Sequence, residues 1–259
     1  MSFSAVNRPH RERLAPPTHW VPFRSVLAQT LIAVGVSGIA LFLAIIALPG
    51  LTSAMVGYFV TFLHEAAHAV FGYFASGEIG RITLHAEGGG EALVKTGGPL
   101  GVVLTAGAGL VIPAWLGAGL LVSAATRIGM ELILLALALL IAWLSYQHVD
   151  AEGAIPLVLG AVALMALLTA ILPIGRMIKS ALTFFFGLSI TKGVFDSAGY
   201  AYVEWIDSEK TDPADARLIA DALGLETISE VSPTLIGLMI IGYIVAILLT
   251  WTWFQRHIR

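Results

Sequence analysis

Five residues inside an otherwise apolar run, His64-Glu65-Ala66-Ala67-His68, hold the densest chemistry in the chain. On a helix, residues four apart lie one turn from each other on the same face. Two imidazoles so placed can hold one Zn²⁺, each nitrogen at about 2.0–2.1 Å. Glu65 lies beside that face, where it can take a proton from a zinc-activated water. Zinc brings the pKa of its water down to about 7, so a hydroxide nucleophile is available at neutral pH. The same carboxyl can then pass the proton to a leaving amine. A His/Glu network that merely braces helices is the other reading of these residues. Three ionisable groups within five positions would make it a costly brace in lipid. A catalytic zinc takes three protein ligands and leaves a fourth position for water. Asp196, Asp150, His148 and His85 are the candidates for the third ligand, and a carboxylate best completes a two-His, one-carboxylate set.

The elements that must position these groups are membrane spans. The 259 residues are 58% hydrophobic and 12% charged, against about 45–50% and about 25% in soluble domains. Seven apolar stretches are long enough to be read as spans, at 26–49, 51–75, 98–122, 127–148, 154–173, 177–205 and 232–254. The expected fold is therefore an all-α polytopic membrane protein of about seven transmembrane helices. Residues 1–25 read as a basic cytoplasmic tail. The apolar run after it is too long for the core of a cleavable signal peptide and is expected to remain as a span. With the N-terminus inside, nine Lys and Arg fall on the cytoplasmic side and five outside, which favours that orientation. The absence of cysteine excludes thiolate zinc sites and cysteine nucleophiles. A net charge of −3 gives no sign of a nucleic-acid partner.

Two stretches interrupt the spans. In 79–96, Ile82, Leu84 and Ala86 alternate with Arg81, Thr83 and His85, and the alternation resumes at Ala92, Val94 and Thr96 after Gly88-Gly89-Gly90. That pattern predicts a β-hairpin between spans two and three. Its edge is either a plain connector or a place where an extended peptide adds as a strand. Residues 207–231 form an acidic cytoplasmic loop with seven acidic and two basic residues. Asp212 as cap, Pro213 at the first position and Gly224 past the end predict one short helix there. Its acidic face reads as solvated surface. On span three, Gly97, Gly101, Thr105, Gly109, Pro113 and Gly117 recur every four residues. This small-residue stripe predicts close helix packing and no chemistry of its own. Residues 26–206 thus form a core that carries the hairpin, and 232–259 hold the last span and the C-terminus.

The zinc motif on span two, the glycine-containing β-prone segment after it and the later intramembrane Asp196 together resemble the site-2 protease family of intramembrane zinc metalloproteases. The likeness is to its compact branch, which has no PDZ domain. In that branch an Asp follows a late span and a Ser/Thr-Asp-rich helix comes next, similar to Phe195-Asp196 and Thr211–Leu223 here. The better-known branches set the Asp in an Asn-Pro-x-x-Asp-Gly or Leu-Asp-Gly context, whereas Ser197-Ala198-Gly199 follows Asp196. The resemblance implies cleavage of membrane-anchored or transmembrane protein substrates within the lipid bilayer.

Depth separates the two aspartates. His64 and His68 lie 11 and 7 residues before Ala75, or roughly 10–17 Å below the surface at 1.5 Å per residue. If span six stays helical to Trp205, Asp196 lies at roughly 14 Å, while Asp150 sits near zero depth. The expected site is therefore His64, His68 and Asp196 as metal ligands with Glu65 as catalytic base and acid. The expected protein is an integral multi-pass zinc endopeptidase of a cell or plasma membrane. A silent zinc-binding regulator of the same fold and a transporter are the other classes. Intact Glu65 speaks against the first, and the lack of matched broken spans against the second.

Overall fold

The computed structural model describes residues 23–86, 89–206 and 215–258. Eight α-helices and three short strands make up the described chain: α1 Phe23–Ala47, α2 Pro49–Ser76, β1 Arg81–Leu84, β2 Gly90–Leu93, α3 Pro99–Thr126, α4 Met130–Gln147, β3 Val149–Ala151, α5 Ile155–Ile171, α6 Arg176–Ile206, α7 Asp215–Leu223 and α8 Ser232–Ile258. Six of the helices (α1, α2, α3, α4, α6 and α8) are long and apolar enough to cross a membrane. The all-α polytopic architecture is thus the one the composition calls for. α5, expected as a seventh span, is an apolar helix of only 17 residues. It nevertheless runs from β3 at one end of the bundle to the meeting point of α4 and α6 at the other. There the Lys179 ammonium donates to the Ala170 carbonyl at 3.0 Å and reaches Glu131 at 3.4 Å.

Local chemistry sets the joints. Only Leu48 separates α1 from α2, and Pro49 opens α2, where its missing N–H costs nothing. α2 ends on Gly77 at φ +79, a left-handed cap that a side chain would disfavour. The expected tail 1–25 lies outside the described residues up to Pro22, and α1 begins at Phe23. The predicted cap Asp212 and its Pro213 also lie outside them, although α7 and the left-handed Gly224 after it match the expected helix.

The hairpin forms as predicted, with Arg81 opposite Leu93 and Leu84 opposite Gly90. A third strand was not foreseen. β3 pairs parallel with β1 on its other side, giving the order β2-β1-β3, so β1 is central and β2 is an edge. The main core gathers α2, α4, α5 and α6 around Phe62, Leu134, Ile141, Leu159 and Ile190, with Ile82 and Leu84 of β1 inserted into it. The sheet is therefore anchored by its own buried face. Tyr58 of α2 adds a tie by donating its hydroxyl to the Ala86 carbonyl at 2.7 Å.

Candidate metal centre

α2 is amphipathic in a sense suited to a membrane interior: one face, from Phe59 through Phe62, Leu63 and Ala66 to Ala69, is buried in the bundle. Glu65 and His68 lie on this buried side, and Glu65 is only 5% exposed. The one-turn spacing brings the imidazoles together, with 3.0 Å between the two Nε2 atoms. Their rings meet edge to face.

The third group is Asp215, the first residue of α7. Its carboxylate lies 3.0 Å from His64 Nε2 and 3.3 Å from His68 Nε2, and its side chain is 17% exposed. These three residues place one ligand atom each within 4.8 Å of one another. Donors about 2.0–2.1 Å from a tetrahedral ion stand about 3.3 Å apart, so the spacing suits one zinc ion. The tautomer suits it as well. Thr105 offers only a carbonyl to His68 Nδ1, at 2.7 Å, so Nδ1 carries the proton and Nε2 keeps its lone pair for the centre. Two imidazole nitrogens and a carboxylate converging on one point form a donor set that could hold a metal ion.

α3 passes directly over this cluster, and Gly109 is the reason it can. A Cβ at Gly109 would stand 2.3 Å from His68 Cε1 and 2.4 Å from His68 Nε2. The small-residue stripe, expected from the sequence only to pack helices, thus does more: its Thr105 carbonyl meets His68 and its Gly109 makes room for both rings. The β2 edge lies over the same place. A Cβ on Gly90 would meet Glu65 Cγ at 3.0 Å and Thr61 Cγ2 at 2.9 Å.

The other sequence candidates lie apart from the histidines. α6 does continue to Ile206, as the depth argument for Asp196 requires. Yet the Asp196 side chain is 63% exposed and pairs with Lys192 one turn earlier. Depth along a helix says nothing about rotation around it, and Asp196 faces away from the buried side that carries Ile190 and Val194. Asp150 sits on β3 and pairs with Arg81 at 3.0 Å. His148 packs against Trp143, and His85 is exposed at the hairpin turn. The acidic face of the 207–231 loop was expected to be solvated, and Asp221 and Glu230 are indeed exposed. Asp215 is the exception. A sequence signal for it existed: Asp215 lies one turn before the apolar Ile219 on the same helical face, so the aspartate belongs to the face that docks.

A sequence model of the family described as Peptidase M50B-like matches residues 36–254. The chain belongs to that family. It is the site-2 protease family that the motif resembled, and the match takes in α2, the hairpin and α7. Peptidase M50B-like proteins are membrane metalloproteases, and this member is an integral membrane protein with six apolar helices of spanning length among its described residues. No significant match was found among curated proteins or solved structures.

Proposed function

We propose that this M50B-like protein is an intramembrane zinc endopeptidase in which His64, His68 and Asp215 hold the metal and Glu65 moves the proton. The observation that carries the reading is the convergence of the two Nε2 atoms and the Asp215 carboxylate beside a buried Glu65. Asp215 takes the place that sequence reasoning assigned to Asp196. A zinc ion bound there would acidify water and polarise a scissile carbonyl. Glu65 would accept the proton of the attacking water and return it to the leaving amine nitrogen, so that its own charge is restored at the end of each turnover. The main core on α2 holds Glu65 and His68 away from bulk water, while the Thr105 carbonyl keeps His68 in one tautomer.

Substrate presentation follows from the register of the sheet. The Ile82 amide donates to the His148 carbonyl at 2.8 Å, so Ile82 faces β3. Its partner Ala92 therefore points its own N–H and C=O to the free edge of β2. An unwound stretch of a membrane-anchored substrate can add there as a strand, which brings its backbone past Glu65. The charge bias of the loops supports a cytoplasmic N-terminus.

Zinc content of detergent-purified protein, measured together with cleavage of a model transmembrane substrate, tests the proposal. One zinc per chain and cleavage that stops on adding a chelator are expected. Zinc without cleavage would identify a silent regulator, and protein that neither binds zinc nor cleaves would remove the proposal altogether.

A further inference from the structure

α7 carries Asp215 at its first residue, and a cavity borders the helix at Ile219 and Leu223. Its volume is about 370 Å³, and it is enclosed by α3, α7, α8 and the short turn Ile228–Glu230. Gly107 forms part of its α3 wall, and Ile219 and Leu223 line it from α7. Only Glu230 and Thr234 contribute polar side chains. A water would need two to four polar partners, so an apolar space of this kind is a poor site for water. Left empty, its walls would forfeit dispersion contacts on every side.

The surroundings say what fills it. α3 and α8 both have the length and composition of membrane spans, and the cavity opens between them. At its rim, Leu104, Ile112 and Leu238 are exposed large apolar side chains on the surface that meets lipid. The α3 residues lining it, from Val103 to Ile112, lie roughly 6–20 Å along the helix from Pro99, within the ~30 Å depth of a hydrocarbon core. A single hydrocarbon chain enters such a space sideways from the bilayer.

We propose that this cavity takes one acyl chain of a bilayer phospholipid, and that the chain props α7 so that Asp215 is held against His64 and His68. Asp215, Ile219 and Leu223 recur every four residues, so the stripe that ends in the carboxylate rests on the occupant. Without it, α7 is held on α3 chiefly by Ala216, Ile219 and Ala220 against Ala106 and Leu235. The effect on the metal rests on the reading of Asp215 as a ligand, whereas occupancy of the cavity does not.

The test places the protein in nanodiscs containing a phosphatidylcholine with a diazirine at the end of one acyl chain. After photolysis, mass spectrometry should find label on the α7 peptide with Ile219 and on the α8 peptide with Leu235. Gly107→Leu fills the space, because a Cβ there stands 3.7 Å from Leu235 Cδ2 and 4.0 Å from Ile219 Cδ1. This variant should lose label at Ile219 while the lipid-facing α1 residue Leu43 keeps it. Val103→Trp, which fills the cavity from another position, should do the same and decides the matter if Gly107→Leu misfolds. In the second arm, wild-type protein stripped of lipid should lose zinc affinity and regain it on adding phosphatidylcholine, while Gly107→Leu keeps its affinity in both states. An unlabelled α7, or label undiminished in both variants, overturns occupancy. Occupancy by lipid is overturned as well if a photo-leucine transmembrane substrate labels Ile219 and displaces the lipid label, since substrate would then fill the cavity. Zinc affinity that ignores lipid in the wild type overturns the propping role. Absence of zinc binding in every state overturns it together with the metal reading, while the labelling still decides occupancy.

Discussion

Each group at the centre has one task, and each task has its own signature. Glu65→Gln keeps the shape of the side chain but cannot take a proton, so zinc should stay bound while cleavage falls by about 10²–10⁴-fold. Normal turnover by this variant would remove Glu65 from the chemistry. Asp215→Ala takes away a proposed ligand, and zinc affinity should drop by more than the roughly 10–100-fold typical of an outer-shell loss. Asp196→Ala should leave zinc and cleavage unchanged, since its carboxylate serves only Lys192 on an exposed face. Equilibrium zinc titration of the two variants side by side decides between the aspartates. Gly109 makes a subtler test. Gly109→Ala adds one carbon 2.3 Å from His68 Cε1, too close for either ring to stay in place. Zinc should be lost although the helix itself gains in propensity. Gly101→Ala is the control, because its added carbon would meet Ala75 Cβ at an ordinary 3.5 Å. Equal zinc content in both variants would contradict the close approach of α3 to the histidines.

At the scale of elements, the sheet is where binding and chemistry separate. β1 is central and its buried Ile82 and Leu84 belong to the core, so damage there is damage to the fold. β2 has one edge paired to β1 and one edge free, and the register assigns the Ala92 amide to the free edge. Ala92→Pro removes that donor without breaking a β1–β2 bond. Cleavage should fall mainly through a higher KM, with zinc content unchanged, as single-substrate kinetics and metal analysis would report. A matching loss of zinc would show instead that this edge supports the centre and does not bind substrate.

At the scale of the whole molecule, two kinds of support meet at one point. The histidines and Glu65 sit on a spanning helix fixed in the main core, whereas Asp215 arrives on a short helix outside the spans that docks on a smaller cluster. A metal shared between them, as proposed, would clamp one to the other. Stripping zinc with a chelator should therefore speed amide exchange in α7 and leave the α4–α5 pair unaffected, as hydrogen-exchange mass spectrometry would show. Identical exchange in α7 with and without zinc would mean that the helix is held independently of the metal. The sequence by itself determined what local rules can specify. Apolar length specified the spans, period-two alternation the hairpin, and the four-residue spacing the His pair with Glu65 beside it. Only the tertiary structure decided the third strand, the closeness of α3 through Gly109 and the convergence of Asp215, rather than Asp196, on the two histidines. The reason is physical: rise per residue predicts how deep a side chain lies, but its direction depends on how each helix is rotated against its neighbours. That rotation is set by contacts between residues far apart in the chain, such as Ile219 with Leu235 and Thr105 with His68.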